Sequence, residues 1–344
     1  MSGLSYAGSG IDINETDAAK REMAKSLETK DPRVLNRIGA FASLFRADFP
    51  GVERPVLVMK TEEPGSKQLL AFQEGRIEGI CHDMINHLVN DIAVMGAAPL
   101  MVQDAIITGA VDKAVITRLV AGMAEACANN ECSLVGGETS IQPGVLEGGR
   151  FILTSSVVGV VDESRVVDGS AIREGDAVLA VASNGLHTNG YTLVRKLMEA
   201  EPSILAERIG DKAFMEAILE PHLAYYPLIK RLMAGFELRG MAHITGGGIR
   251  DNLKRVIPQN LDALIDLSRI EPLPLFELIR ARGRIEEAEM LRTFNCGVGL
   301  CLVARAQDAR AIEAEAARAG YRAYKIGGIE SGGTGDVRFE GKLR

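Results

Sequence analysis

From Pro55 onward, apolar segments of strand length alternate with apolar segments of helix length, and this alternation limits the fold more than any other feature of the chain. "PVLVMK" is strand-like. "IEGICHDMINHLVNDIAVMGA" carries helical apolar spacing and should end near Gly96. "LMVQDAIITG", "CSLVGGET" and "RFILTSSVVGVV" read as strands, with "KAVITRLVAGMAEACANN" a helix between the first two. Turn formers gather in "DGSAIREGDAV" (168–178). Beyond them the alternation resumes through strands "AVLAVAS", "MAHIT", "DALIDL", "CGVGLCLVA" and "YRAYKIG" and helices "YTLVRKLMEA", "IRDNLKRVI", "PLFELIRAR" and "DARAIEAEAARAG". The pattern predicts an α/β or α+β protein. At 344 residues the chain exceeds what one core usually supports, so two domains are expected, residues 1–171 and 172–344. The first thirty or so residues are polar, then charged and helical, and read as an arm or lid.

A net charge of −7 argues against a general nucleic-acid binder, and anionic ligands would then need local cations. No apolar run approaches the roughly 18 residues of a spanning helix, and the first residues lack the basic-then-apolar plan of a signal peptide. Five cysteines, an odd number set mostly in apolar segments, fit reduced thiols in a cytoplasm better than a disulfide framework. The 37 glycines exceed the roughly 7% background and point to tight turns or ligand loops.

Several polar residues stand where burial would be costly. Asp83, His87 and Asn90 share one face of an apolar helix with Asp91 at its edge, a stripe that meets either solvent or a site. Asp104 lies within an apolar strand, where a carboxylate needs a partner or a metal. "VGGETS" sets Glu138 and Thr139 after Gly136 and Gly137, where backbone can approach a ligand. Glu62 or Glu63, Asp91, Asp104 and Glu138 could together serve a magnesium ion, whose ligands are oxygens; scattered surface acids are the other reading. In the second half, three glycine-rich turns at strand ends suggest a shared crevice: "SNGLHTNGY" with His187 and Asn189, "AHITGGGIRDN" with His243 and Gly246, Gly247 and Gly248, and "RTFNCGVG" with Asn295.

Taken together, "VGGET", "SNGLHTNGYTLVRK", "AHITGGGIRDNLKRVIP", "EMLRTFNCGVG", "VNDIAVMGAAPL" and "DESRVVDGSAIREGD" resemble the phosphoribosylformylglycinamidine cyclo-ligase family, from about Tyr6 to Gly327. The resemblance implies an N-terminal ATP- and magnesium-binding and dimerisation domain, a C-terminal α/β domain completing the substrate cleft, and a homodimer whose N-terminal sheets pair into a barrel. It also implies the reaction: formylglycinamidine ribonucleotide plus ATP gives aminoimidazole ribonucleotide, ADP and phosphate, in purine synthesis. Such chemistry needs two anionic molecules aligned and water excluded, with no enzyme nucleophile.

Carried over position by position, the resemblance implies Glu62, Asp91, Asp104 and Glu138 as magnesium ligands. It places Gly65, Ser66, Lys67, Asn90, Gly136, Gly137 and Thr139 with them around ATP. Lys67, His187 and His243 become catalytic candidates, and Asn189, Gly246, Gly247, Gly248 and Asn295 substrate contacts. The loop Thr61-Glu62-Glu63-Pro64-Gly65-Ser66-Lys67 departs from the family's usual Thr-Asp-Gly-Val-Gly-Thr-Lys, which marks a variant subfamily. "GAFASLF", "ETSIQPG" and His87 depart as well, so the changes cluster in the nucleotide-handling half. The alternatives are another ATP-using enzyme of the same superfamily or a non-catalytic nucleotide-binding paralogue.

Overall fold

Four strands build the first sheet, and burial alternates most regularly along Pro55–Glu62 and Phe151–Asp162. The computed structural model describes residues 31–35 and 40–343, so the expected N-terminal arm lies outside the described residues. The strands are β1 (Pro55–Glu62), β2 (Ala98–Thr108), β3 (Ser133–Ile141) and β4 (Phe151–Asp162), in the order β1-β4-β2-β3. β4 pairs antiparallel with both β1 and β2, whereas β2 and β3 run parallel. Parallel neighbours need a crossover, and the helix Lys113–Asn129 supplies it. Asp112 starts that helix by accepting the Val115 N–H, and Ile116, Leu119, Val120 and Met123 form part of its buried face. In the sheet, Val102, Ile106, Leu153 and Val157 point into the core, while Leu57, Met59 and Ile152 on the opposite face remain exposed.

β1 extends further than its apolar letters suggest. Lys60, Thr61 and Glu62 continue the ladder opposite Val157, Ser156 and Ser155, so the polar loop shortens to Glu63–Ser66 before the helix Lys67–Gln73. The helix Ile77–Ala93 is also more buried than an amphipathic reading allows: from Cys81 to Asn90 every residue but His82 is buried. Its polar stripe is therefore not a solvated face.

The chain divides into two compact units, and the second is discontinuous, taking Gly65–Lys67 and Asn90–Ala97 along with everything from Ser164. Its main sheet contains β5 (Ala177–Ala182), β8 (Leu238–His243), β9 (Leu261–Asp266), β10 (Val298–Ala304), β11 (Ala323–Ser331) and β12 (Val337–Glu340). β6 (Arg208–Ile209) and β7 (Lys212–Ala213) form a separate ribbon. The strand order is β12-β9-β11-β5-β10-β8, antiparallel throughout except for β12 beside β9. β10 is buried along its whole length, as its unbroken apolar run predicts. The sequence reading missed β12, the ribbon, and the helices Phe214–Ile218, Tyr226–Gly235 and Glu287–Thr293. All five cysteines are buried free thiols, and burial pushes Cys296 and Cys301 up to about 12.

Candidate functional site

In the first unit one row of the sheet carries acidic chemistry. Glu62 and Asp104 both pair with Ser155, and Asp104 in turn lies opposite Gly137. Residues paired across strands share a face, so Glu62, Ser155 and Asp104 project to the same side, where buried Ser155 contacts Met84 of the helix Ile77–Ala93. A Cβ on Gly137 would stand 2.2 Å from Asp104 Oδ1, so only glycine leaves that carboxylate its position. Burial pushes the Asp104 carboxyl up to about 7, and the charge of Glu138 adds to the push. Glu138 pairs opposite Ala105, one place along, so alternation turns it to the other face of the sheet. A β-bulge at Val135 and Gly136 sets this register, and Thr139 follows opposite Ile106. Glu62 meets Lys60 at 3.1 Å and His87 at 3.8 Å.

The remaining predicted residues belong to the second unit, where much of their polarity is spent internally. Asn90 is fully buried; its Nδ2 donates to Leu223 O at 2.9 Å and its Oδ1 accepts from the Tyr225 N–H at 2.7 Å. Asn295 holds two turns together, accepting from Ser183 Oγ and the Gly297 N–H and donating to Gly185 O, each at 2.9 Å. Lys67 is 1% exposed, and its Nζ donates to Glu220 O at 2.7 Å. In this structure all three side chains hold backbone groups of the second unit.

The histidines gather. Asp91 Oδ1 lies 2.7 Å from His243 Nδ1, and His243 Nε2 lies 2.8 Å from His222 Nε2. His222 stacks on His187 with ring centroids 3.9 Å apart, and His187 Nε2 reaches Asn184 Oδ1 at 3.0 Å. His187 sits at φ +59, a left-handed conformation that costs a non-glycine residue energy. Gly299 makes room for the group: a Cβ there would fall 1.8 Å from the Tyr225 hydroxyl and 2.8 Å from His187 Cε1.

Beside the cluster, Ser66, Thr188, Asn189, Tyr191, Lys196 and Thr293 help line an open cavity of about 430 Å³. The helix Tyr191–Ala200 begins at its wall behind Gly190, with no side-chain cap on its first N–H groups. Gly65 approaches Thr188 O, and Gly246 approaches Asn189 Oδ1, while Gly247 and Gly248 open the short helix Gly248–Leu253. Of the predicted residues, Ser66 and Asn189 thus share one cavity, and His187 and His243 share one cluster with Asp91. Sequence reasoning missed His222, Asn184 and Tyr225. His222 in "EPHLAYYP" sits in no periodic segment and beside no glycine, so its only signal was being one of five histidines.

The same elements recur in known proteins. Residues 50–161 match the family model described as AIR synthase related protein, N-terminal domain, and residues 173–340 match its C-terminal domain. A phosphoribosylformylglycinamidine cyclo-ligase of Methylobacillus flagellatus is 39% identical over 97% of both chains. The chain belongs to this family. The cyclo-ligase of Chromobacterium violaceum is likewise 39% identical, over 95% of each chain. Among solved structures, thiamine-monophosphate kinase from Stenotrophomonas maltophilia superimposes with a TM-score of 0.66 over 95% of this chain and 96% of that one. At 17% identity, what the kinase shares with this chain is the fold.

Proposed function

We propose that this protein closes the imidazole ring of a purine precursor, converting formylglycinamidine ribonucleotide and ATP to aminoimidazole ribonucleotide, ADP and phosphate. The observation that carries this reading is its end-to-end relation to a protein named for that reaction, with 97% of both chains aligned. The ring forms when the substrate's own amidine nitrogen displaces an activated formyl oxygen, so the chain's task is to bind, orient and exclude water.

The donor set fits magnesium. Glu62 and Asp104 offer carboxylate oxygens on one face of the sheet. Gly137 preserves the space at Asp104, and a carboxyl raised to about 7 by burial is one that a cation would return to its charged form. We assign Glu62 and Asp104 as the residues that would hold the ion, with Glu138 adding negative field. When bound, magnesium neutralises charge on the nucleotide phosphates. Asp91 is placed differently: its carboxylate orients His243 within the second unit. Ser66, Asn189, Lys196 and the uncapped N-terminus of Tyr191–Ala200 surround a cavity suited to an anionic ligand, which we assign to the ribonucleotide.

A homodimer is part of the same proposal, supported by Leu57 and Met59, which stand 55% and 72% exposed on the edge strand β1. Among the described residues no helix is long and apolar enough to cross a membrane. The buried thiols suit a reducing compartment, and on that ground we place the protein in the cytoplasm.

The test is turnover of purified protein with formylglycinamidine ribonucleotide, ATP and magnesium, following aminoimidazole ribonucleotide colorimetrically and ADP in parallel. Equal amounts of both products are expected. Folded protein that binds ATP and magnesium yet forms neither product would sink the assignment in favour of a non-catalytic relative.

A further inference from the structure

His243 has both ring nitrogens engaged by side chains, Nδ1 by Asp91 at 2.7 Å and Nε2 by His222 at 2.8 Å. An ionised carboxylate only accepts, so the His243 proton resides on Nδ1. In this tautomer Nε2 is the acceptor, and the proton shared between the two histidines comes from His222 Nε2. Asp91 thereby favours the Nδ1–H tautomer of His243, and the His222 donor on Nε2 locks it.

The backbone around His222 is clamped on both sides. Asn184 Nδ2 donates to Pro221 O at 2.8 Å, and Asn90 binds both Leu223 O and the Tyr225 N–H. His222 itself is 1% exposed. Its ring lies nearly parallel to that of His187, with an interplanar angle of 18°, and so floors the left-handed turn that carries Thr188 and Asn189 to the cavity.

Three imidazoles this close could also hold a metal, their ligand atoms lying within 4.8 Å of one another. Two features oppose that. Stacked rings direct their in-plane lone pairs side by side rather than toward one point. Two nitrogens on a tetrahedral zinc, each about 2.0–2.1 Å from it, stand about 3.3 Å apart, whereas the Nε2 atoms here are at N–H···N distance.

We propose that His222 is a positioning residue for the ring-closing reaction, holding His243 in its Nδ1–H tautomer and supporting the turn at His187. The proposal rests on the cyclo-ligase reading, and its test separates the two. The first arm is a long-range ¹H–¹⁵N spectrum of ¹⁵N-histidine-labelled protein, which needs no turnover. His243 should show the Nδ1–H pattern in the parent and in His222→Gln, whose amide N–H can replace the donor, and a mixed pattern in His222→Leu.

In the second arm, His222→Leu should lower kcat by about 10- to 100-fold, the usual cost of losing a partner that orients a functional side chain. Its KM for formylglycinamidine ribonucleotide should change less than kcat, and His222→Gln should recover most of kcat. If the Leu variant fails to fold, His222→Gln and His222→Asn decide between them: the shorter Asn should lose the tautomer that Gln keeps. An unchanged His243 pattern with unchanged kcat would overturn the proposal. So would a raised KM at constant kcat, which marks a direct ligand contact, or stoichiometric zinc in the purified protein. A parent without turnover but with the expected tautomer series would sink the cyclo-ligase reading and leave the positioning role intact.

Discussion

One carboxylate of the first unit and two of the second are shifted in opposite directions. In the first, burial raises Asp104 to about 7, and the neighbouring Glu138 raises it further. In the second, the guanidinium of Arg250 and the Val337 N–H hold Asp336 down at about 2, and the N–H groups of Asp336 and Thr334 lower Asp262. The second unit satisfies its acids from within. The first pairs Glu78 with Arg118 in the same way but leaves Asp104 raised, and a cation from outside is what would complete it. Scaffold and site differ here in where the balancing charge comes from, more than in how polar they are.

The sharpest way to break this contrast is Asp104→Asn. Removing the charge should cut turnover by about 10²- to 10³-fold and abolish magnesium-dependent protection by ATP in thermal unfolding. Full activity in that variant would mean that Asp104 is raised for no functional reason. Gly137→Ala asks whether the space beside the carboxylate matters. With the new methyl 2.2 Å from Asp104 Oδ1, magnesium affinity measured by titration calorimetry should fall by about 10- to 100-fold.

In the second unit the corresponding change should act on stability. Asn295→Ala removes three internal hydrogen bonds and should cost about 2–3 kcal/mol in denaturant unfolding. The protection of this variant by ATP and magnesium should persist.

The smallest effect is on the pH dependence of the metal-free protein. An aspartate ordinarily titrates near about 4. Above that value the fold retains a proton at Asp104 that the unfolded chain releases, so its contribution to stability should decline as pH rises from about 4 to about 7. Asp336 runs the other way, its contribution fading as pH falls from about 4 toward about 2. Differential scanning calorimetry at several pH values should show the first slope flattened in Asp104→Asn and the second in Asp336→Asn.

Most strands and helices were legible because their apolar periodicity survives in a single sequence: Tyr191–Ala200 and the unbroken run of β10 coincide with their segments. The elements that escaped are those whose letters do not advertise them. β1 continues through Lys60 and Glu62 because β4 offers a ladder, whatever the propensity of charged residues. Glu287–Thr293 is short and charged, and only Met290 within it is buried. At the site, types were easier to read than assignments. A carboxylate in a strand announced Asp104, and glycine runs announced the turns at Asn189 and Gly246. An asparagine that lines a cavity and one that clamps backbone look alike in sequence, so only their surroundings in the structure distinguish Asn189 from Asn90 and Asn295. His222 meets Asp91 through His243, which lies 152 positions from Asp91 along the chain, a relation that no local pattern encodes.

The discontinuity of the second unit has a bearing on how the chain is made. Asn90 emerges from the ribosome well before Leu223 and Tyr225, the residues whose backbone it clamps. That clamp must wait until more than a hundred further residues have been synthesised. Dividing the gene at the turn cluster of residues 168–178 would therefore give a C-terminal fragment whose segment around His222 lacks two of its backbone hydrogen bonds. The earlier half, though built around its own sheet, would carry the missing amide with nothing to hold.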